Sequence, residues 1–194
     1  MTDAPIGWSD AIAAQIARTR RCCVDRGVVF ERADSTQDAA RRMLAPSERG
    51  VLVCAAVQTA GRGRRGARWD DAEGMTLPCS LALRTGLDAR ALAARSGLAA
   101  LDAVARSAPD HDVRIKWPND IVVRTHGADR KIGGVLTERD DECAVVGIGV
   151  NALQGERDFP EPWRARAVSL AMLGARSDRV ALACDLVETM SRWL

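Results

Sequence analysis

The chain of 194 residues has almost no lysine: of its 28 basic residues only Lys116 and Lys131 are not arginine. It has no C-x-x-C pair and a net charge of only +2. No apolar run approaches the ~18 residues that a membrane span requires. Each shortage excludes something. The six cysteines (Cys22, Cys23, Cys54, Cys79, Cys143, Cys184) mostly fall inside apolar segments, as small buried hydrophobes do, so neither a metal nor a disulfide framework is expected. Cys22 beside Cys23 is the one adjacent pair and reads as surface and packing chemistry. With no signal peptide and no apolar span, the expected location is the cytoplasm, with no membrane partner. A near-balanced charge is too small for a protein that coats DNA, so a nucleic-acid role would have to rest on a local patch. A chain of this length buries roughly 70% of the surface its unfolded form exposes and fits one compact domain without staples.

The scarcity of lysine is also a positive signal. A composition that uses arginine almost everywhere does not need lysine for solubility. Guanidinium is a broad planar fork and ammonium a compact point charge, so a narrow site beside a reacting oxyanion can require the latter. Residual codon usage would explain two lysines equally well, and composition alone does not decide.

Apolar spacing predicts an amphipathic helix over 8–23 carrying Ile12 and Ile16, a strand over 28–33, and a helix from Ser35 to about Leu44 opened by the capping-box pattern Ser35-Thr36-Gln37-Asp38. Residues 51–57 form a continuous apolar run, hence a buried strand. Residues 75–84 read as another, with Pro78 arguing for an edge or a bulge. A mostly buried helix is expected over 88–108. VRIKWPND and IVV give two strand pieces broken by a proline turn, with Trp117 read as core. KIGGVLTE and CAVVGIGVN flank a charged turn at 139–142 and predict a hairpin, in which Gly147 and Gly149 are read as permitting close strand packing. Residues 160–194 suggest two helices linked near 174–178. There is no internal repeat or low-complexity tract. Strands outnumber helices and mostly neighbour one another, which points to α+β.

The segment QTAGRGRRGARW (58–69) carries the chemistry. Gly61, Gly63 and Gly66 spell G-x-G-x-x-G, but the dinucleotide reading needs a helix to start inside the motif. Here an acidic stretch, Asp70, Asp71 and Glu73, follows instead. Arg62, Arg64, Arg65 and Arg68 beside Trp69 also fit a phosphate-contacting nucleic-acid patch or a solvated basic loop. Two unit charges ~4 Å apart repel by about 4 kcal/mol at an effective dielectric near 20, so the loop is expected to be disordered when empty and to close over a polyanion. Lys116 sits in Lys116-Trp117-Pro118-Asn119-Asp120, a turn that delivers an ammonium, an amide and a carboxylate to one end of a sheet. Lys131 precedes Ile132-Gly133-Gly134, where missing side chains leave room for a ligand against the backbone. Two cations, a carboxylate and an arginine flap suit a reaction whose charge gathers on phosphate oxygens.

QTAGRGRRGARW, KWPND, KIGGVL and GIGVN, in this order and preceded by Ser35-Thr36-Gln37, resemble the catalytic domain of biotin protein ligases from about Val28 to Asn151. The resemblance implies an α+β fold with a mixed, largely antiparallel sheet and flanking helices, shared with lipoate ligases and related to class II aminoacyl-tRNA synthetases. It implies an ATP-dependent enzyme in which biotin and MgATP give biotinoyl-5′-adenylate and pyrophosphate. The acyl group then passes to a lysine of a biotin carboxyl carrier domain. No tightly held prosthetic group is implied.

Carried onto this sequence, Ser35, Thr36, Gln37, Gln58, Gly61, Arg62, Gly63, Arg64, Lys131 and Gly134 would meet biotin. Arg62, Arg64, Arg65, Trp69, Lys116, Asn119, Asp120, Lys131 and Asn151 would meet ATP or the adenylate. Lys131, Arg64 and Lys116 would be catalytic, and Asp120 a magnesium partner. Ser35 reads equally as a helix cap. The sequence departs from the family at Ala67, where many members carry another basic residue. A DNA-binding domain before this one and an SH3-like domain after it are not expected in the chain, and a homodimer through a sheet edge is compatible with it. A lipoate or octanoate ligase of the same fold, and a module that binds without catalysis, are the competing functions.

Overall fold

The computed structural model describes residues 7–70, 74–125 and 127–194. Asp71 and Glu73 of the acidic stretch lie outside the described residues. In chain order the elements are helix α1 (Trp8–Arg18), strand β1 (Arg26–Ala33), helix α2 (Thr36–Met43), strand β2 (Gly50–Gln58), the two-residue strands β3 (Gly61–Arg62) and β4 (Arg68–Trp69), and strand β5 (Thr76–Leu83). Helix α3 (Ala89–Ser107), strands β6 (Val113–Lys116), β7 (Asp120–Thr125), β8 (Ala128–Arg139) and β9 (Ala144–Asn151), the one-turn α4 (Glu161–Arg164) and helix α5 (Arg179–Trp193) follow. Seven strands form one sheet in the order β1-β2-β5-β9-β8-β7-β6. Only β1 and β2 pair in parallel; the other neighbours are antiparallel. The fold is α+β, with a mixed, mostly antiparallel sheet.

Period-two alternation divides the sheet into two unequal faces. Leu52 and Cys54 of β2, Leu77, Cys79 and Leu81 of β5, and Val146, Ile148 and Val150 of β9 pack with α1, α3 and α5. Val51, Val53 and Ala55, together with Ala82 and Val145, pack instead under Ala39 and Ala40 of α2. The β2 run is continuously apolar because helices cover it on both sides. Helix α2 is only eight residues long. Beyond its end the same face carries small residues, Ser80, Gly134, Gly147 and Gly149, and there a cavity opens.

Several sequence expectations change in the structure. Helix α1 stops at Arg18, before the two cysteines. Cys22 and Cys23 are free thiols beside the Ser191 hydroxyl, and burial pushes Cys23 up to about 11. Strand β5 is central, between β2 and β9, so Pro78 is not on an edge strand. It is tolerated because the β2 ladder ends at Cys54 and Cys79, leaving Pro78 paired only to Gly149 on the other side. Trp117 is not core: it is 86% exposed in the turn between β6 and β7, where the Trp117–Pro118 peptide is cis. The first of the two C-terminal helices is a single turn. After it, the backbone runs beside β8, with Lys131 N–H donating to Arg166 O at 2.6 Å and Val168 N–H to Lys131 O at 2.9 Å. Residues 167–170 are all buried, and that burial holds them against the sheet rather than in a helix.

Candidate active site

The cavity measures about 430 Å³ and lies on the α2 face of the sheet. Its first wall starts at the N-terminus of α2. Ser35 caps that helix, its Oγ accepting from Asp38 N–H at 3.4 Å. The capping box is only half formed, because Ser35 N–H donates to Asp34 Oδ1 at 2.8 Å rather than to Asp38. Gln58, at the end of β2, places Oε1 to accept from Thr36 N–H at 2.8 Å and from Thr36 Oγ1 at 3.1 Å. Thr36 Oγ1 also shares a buried hydrogen bond with Ser80 Oγ at 2.8 Å. Gln37 crosses β9 to donate to Leu136 O at 3.4 Å.

The floor explains the two glycines of GIGVN. A Cβ on Gly147 would stand 2.6 Å from Gln37 Cδ, and one on Gly149 would stand 2.5 Å from Trp69 Cε2. These glycines make room for side chains that wall the cavity; close strand packing belongs instead to Gly133, whose Cβ would lie 2.8 Å from Gly149 O.

The arginine motif forms a small antiparallel hairpin of β3 and β4, which brings Trp69 over the sheet. Arg62, Gly63, Arg64 and Arg68 line the cavity. Arg64 donates to Asn119 Oδ1 at 3.1 Å, bridging the hairpin to the turn before β7, and Arg68 donates to Thr59 O at 3.0 Å. The expected crowding of like charge is relieved inside the chain at Arg62, which makes a two-pronged pair with Asp38 at 2.6 and 2.8 Å. That pairing holds Asp38 below the usual carboxylate range and raises Arg62.

Lys131 reaches into the cavity from β8. Its Nζ lies 2.7 Å from Asp120 Oδ1 and 5.6 Å from the centroid of the Trp69 ring. Asn151 lines the cavity while bracing Lys131. Its amide donates to Lys131 O at 3.3 Å and to Val168 O at 3.1 Å, and its Oδ1 accepts from Gln154 at 3.3 Å.

The structure therefore gathers Thr36, Gln37, Gln58, Arg62, Gly63 and Arg64 around one cavity with Trp69, Asn119, Asp120, Lys131, Gly134 and Asn151. Four expected residues do not line it. Ser35 is the helix cap. Gly61 sits behind the wall, where a Cβ would meet Gln58 Nε2 at 2.5 Å. Arg65 is exposed at the hairpin tip with a left-handed φ of 56°. Lys116 is exposed one strand further out, opposite Asp120 in the β6–β7 register, so both side chains share a face at the rim.

Sequence reasoning missed Ser80, Phe159 and Trp163, which also line the cavity. Ser80 was signalled by a polar residue inside an apolar strand. Phe159 and Trp163 were signalled by their rarity in a chain that is 4% aromatic. Among the described residues no group of three or more His, Cys, Asp or Glu could hold a metal ion, and no helix is long and apolar enough to cross a membrane.

A half-open cavity with mostly apolar walls, the Lys131 ammonium, the carboxylates of Asp70 and Asp120 and a basic hairpin across it is the arrangement of an anion-handling site on an α+β sheet. The model of the biotin/lipoate A/B protein ligase family matches residues 29–151, and the chain belongs to that family. The bifunctional ligase/repressor BirA of Bacillus spizizenii is 36% identical over 141 residues, covering 69% of this chain and 42% of the relative. The biotin–[acetyl-CoA-carboxylase] ligase of Mycobacterium tuberculosis is 34% identical over 148 residues, covering 73% of this chain and 53% of the relative. The solved structure of the biotin protein ligase from Aquifex aeolicus in complex with biotin and ATP is similar with a TM-score of 0.73 at 27% identity, covering 87% of this chain and 69% of that one. The chain spans about half the length of the curated relatives it matches.

Proposed function

We propose that this chain is a biotin protein ligase: it activates biotin with ATP and passes the acyl group to a lysine of a biotin carboxyl carrier domain. The observation that carries the reading is the position of Lys131, an ammonium in the cavity between Asp120 and Trp69 with the arginine hairpin opposite. A carboxylate and an α-phosphate repel each other, and a cation held between them offsets that repulsion as the new bond forms. A carboxylate oxygen of biotin attacks the α-phosphorus, the bond to the β-phosphate breaks, and pyrophosphate leaves. In the second step the carrier lysine, as a neutral amine, attacks the acyl carbon, AMP departs with the bonding electrons, and the amine gives up a proton.

Thr36, Gln37, Gln58 and Ser80 suit a ring system with several donors and acceptors, on a floor kept shallow by Gly147 and Gly149. Trp69 and Trp163 supply flat walls for a nucleotide. Arg64, which donates to the neutral Asn119 side chain, is positioned to cover the phosphate. Lys116, Arg65 and Gly61 act at the rim, tip and back of the same site. Asp120, a partly exposed carboxylate on the cavity wall, is the residue that would hold a magnesium ion arriving with ATP. When bound, the ion would neutralise phosphate charge.

The relatives' names, which pair ligase activity with biotin and acetyl-CoA carboxylase, support biotin as the acid and a carboxylase carrier as the acceptor. The family also includes lipoate ligases, so lipoate is the competing acid. Incubation with MgATP, an apo carrier domain and either acid separates them: this reading expects mass transfer from biotin onto one carrier lysine and none from lipoate. Transfer from lipoate alone, or from neither, rejects it.

A further inference from the structure

The carboxylate that a capping box would turn back onto Ser35 N–H is used elsewhere. Asp34 takes that amide, and the Asp38 carboxylate faces Arg62 instead. Arg62 Nη2 also lies 3.4 Å from Glu138 of β8, and Glu138 is shared with Arg41 at 3.4 Å, which in turn pairs with Asp140. The three arginines that line the cavity from the hairpin are therefore not equivalent. Among the described residues Arg64 and Arg68 meet neutral oxygens, so their charge is available to an anion. The guanidinium of Arg62 is occupied by carboxylates on two other elements, α2 and β8. Its side chain ties the hairpin to both of those elements.

We propose that Asp38, supported by Glu138, is a positioning residue that latches the arginine hairpin across the cavity through Arg62. The latch sets how long the hairpin stays closed over what the cavity holds. Arg62 thus acts as a strut, while Arg64 and Arg68 supply the charge. The consequence for ligand lifetime rests on the acyl-adenylate reading; the latch itself does not.

The test uses the whole ligand-free protein. Limited trypsin digestion, with nicks assigned by mass spectrometry, reports opening of the hairpin at the bonds after Arg64 and Arg65. Exposed Arg157 serves as a reference bond. Asp38→Asn leaves the helix cap intact, because the cap uses the Asp38 backbone N–H. The expected result is a rise of about fivefold or more in hairpin nicking for Asp38→Asn and a smaller rise for Glu138→Gln, with Asp38→Glu close to wild type and Arg157 unchanged. Added salt should speed nicking of the wild type and leave Asp38→Asn unaffected, because the latch is a half-exposed ion pair. Unchanged hairpin nicking in Asp38→Asn, or a rise shared equally with Arg157, overturns the proposal. In a second arm, pre-formed biotinoyl-adenylate should leave Asp38→Asn faster while biotin-dependent pyrophosphate exchange stays near wild type. If no adenylate forms in either protein, the ligase reading fails and the nicking arm still decides the latch.

Discussion

Lys131 Nζ and Asp120 Oδ1 lie 2.7 Å apart in a cavity wall where each side chain is only partly exposed. The pair is anchored on both sides. Asn151 and residues 166–168 fix the backbone of Lys131, and Asp120 opens β7 directly after the proline turn. On the proposed reading an incoming carboxylate would meet an ammonium that is already oriented, which would leave little reorganisation for the chemical step.

Lys131→Arg should therefore lose activity although it keeps the charge. The wider guanidinium cannot occupy the gap between Asp120 and Trp69 and misplaces the acid. The expected loss is about 100-fold or more in biotin-dependent pyrophosphate exchange, with an unchanged thermal midpoint. Rates near wild type would remove Lys131 from the mechanism.

Gly149→Ala places a methyl group 2.5 Å from the Trp69 ring, and backbone pairing on both edges prevents β9 from retreating. The indole must shift, at a cost of about 1–3 kcal/mol. Calorimetric titration should show ATP binding weaker by roughly tenfold or more, with near-native far-UV circular dichroism. Wild-type affinity would mean that Trp69 does not border the ligand.

Ser35→Ala and Thr36→Val separate a helix cap from a ligand contact. Ser35→Ala removes the cap and should cost about 1 kcal/mol in urea unfolding while biotin affinity changes little. Thr36→Val leaves the buried Ser80 hydroxyl without its partner and takes one donor from Gln58, costing about 1–3 kcal/mol and weakening binding as well. Equal loss of affinity in both variants would return Ser35 to the ligand set.

Acidification should destabilise the fold. Arg49 holds Asp25 low, Arg62 holds Asp38 low, and Arg26 holds Glu48 low. A carboxyl group with a depressed folded-state value stabilises above its unfolded value and loses that contribution as pH falls through the folded one. The melting temperature should stay nearly flat from pH 8 to 6 and fall below about pH 4.5, near the unfolded carboxylate values. A melting temperature that holds or rises down to pH 3 would contradict these pairings.

Much of the fold was legible because its signals are local. The apolar run at 51–57, the S-x-x-D start at Ser35 and the helical spacing over 88–108 each depend on neighbours in sequence. The misread segments depend on partners far away. Nothing near Pro78 says that the β2–β5 ladder ends at Cys79, one residue before it could need a proline N–H. Nothing near Val168 says that β8 will offer a backbone edge to residues 166–168. At the site, residue types and order located the cavity, yet charge alone could not rank the arginines. Arg62 is spoken for by Asp38 and Glu138, 24 and 76 residues away, and only the fold reveals that. Trp117 looked like core because tryptophan usually is; the turn that carries Asn119 and Asp120 to the cavity points it outward.

The most direct test of the central claim is exchange of labelled pyrophosphate into ATP by the purified chain, with and without biotin, in wild type and Lys131→Ala. Exchange that requires biotin, is absent with lipoate and falls by about 100-fold or more in Lys131→Ala is the expected result. Exchange that does not depend on biotin, or that survives in Lys131→Ala, would contradict an acyl-adenylate site built around Lys131.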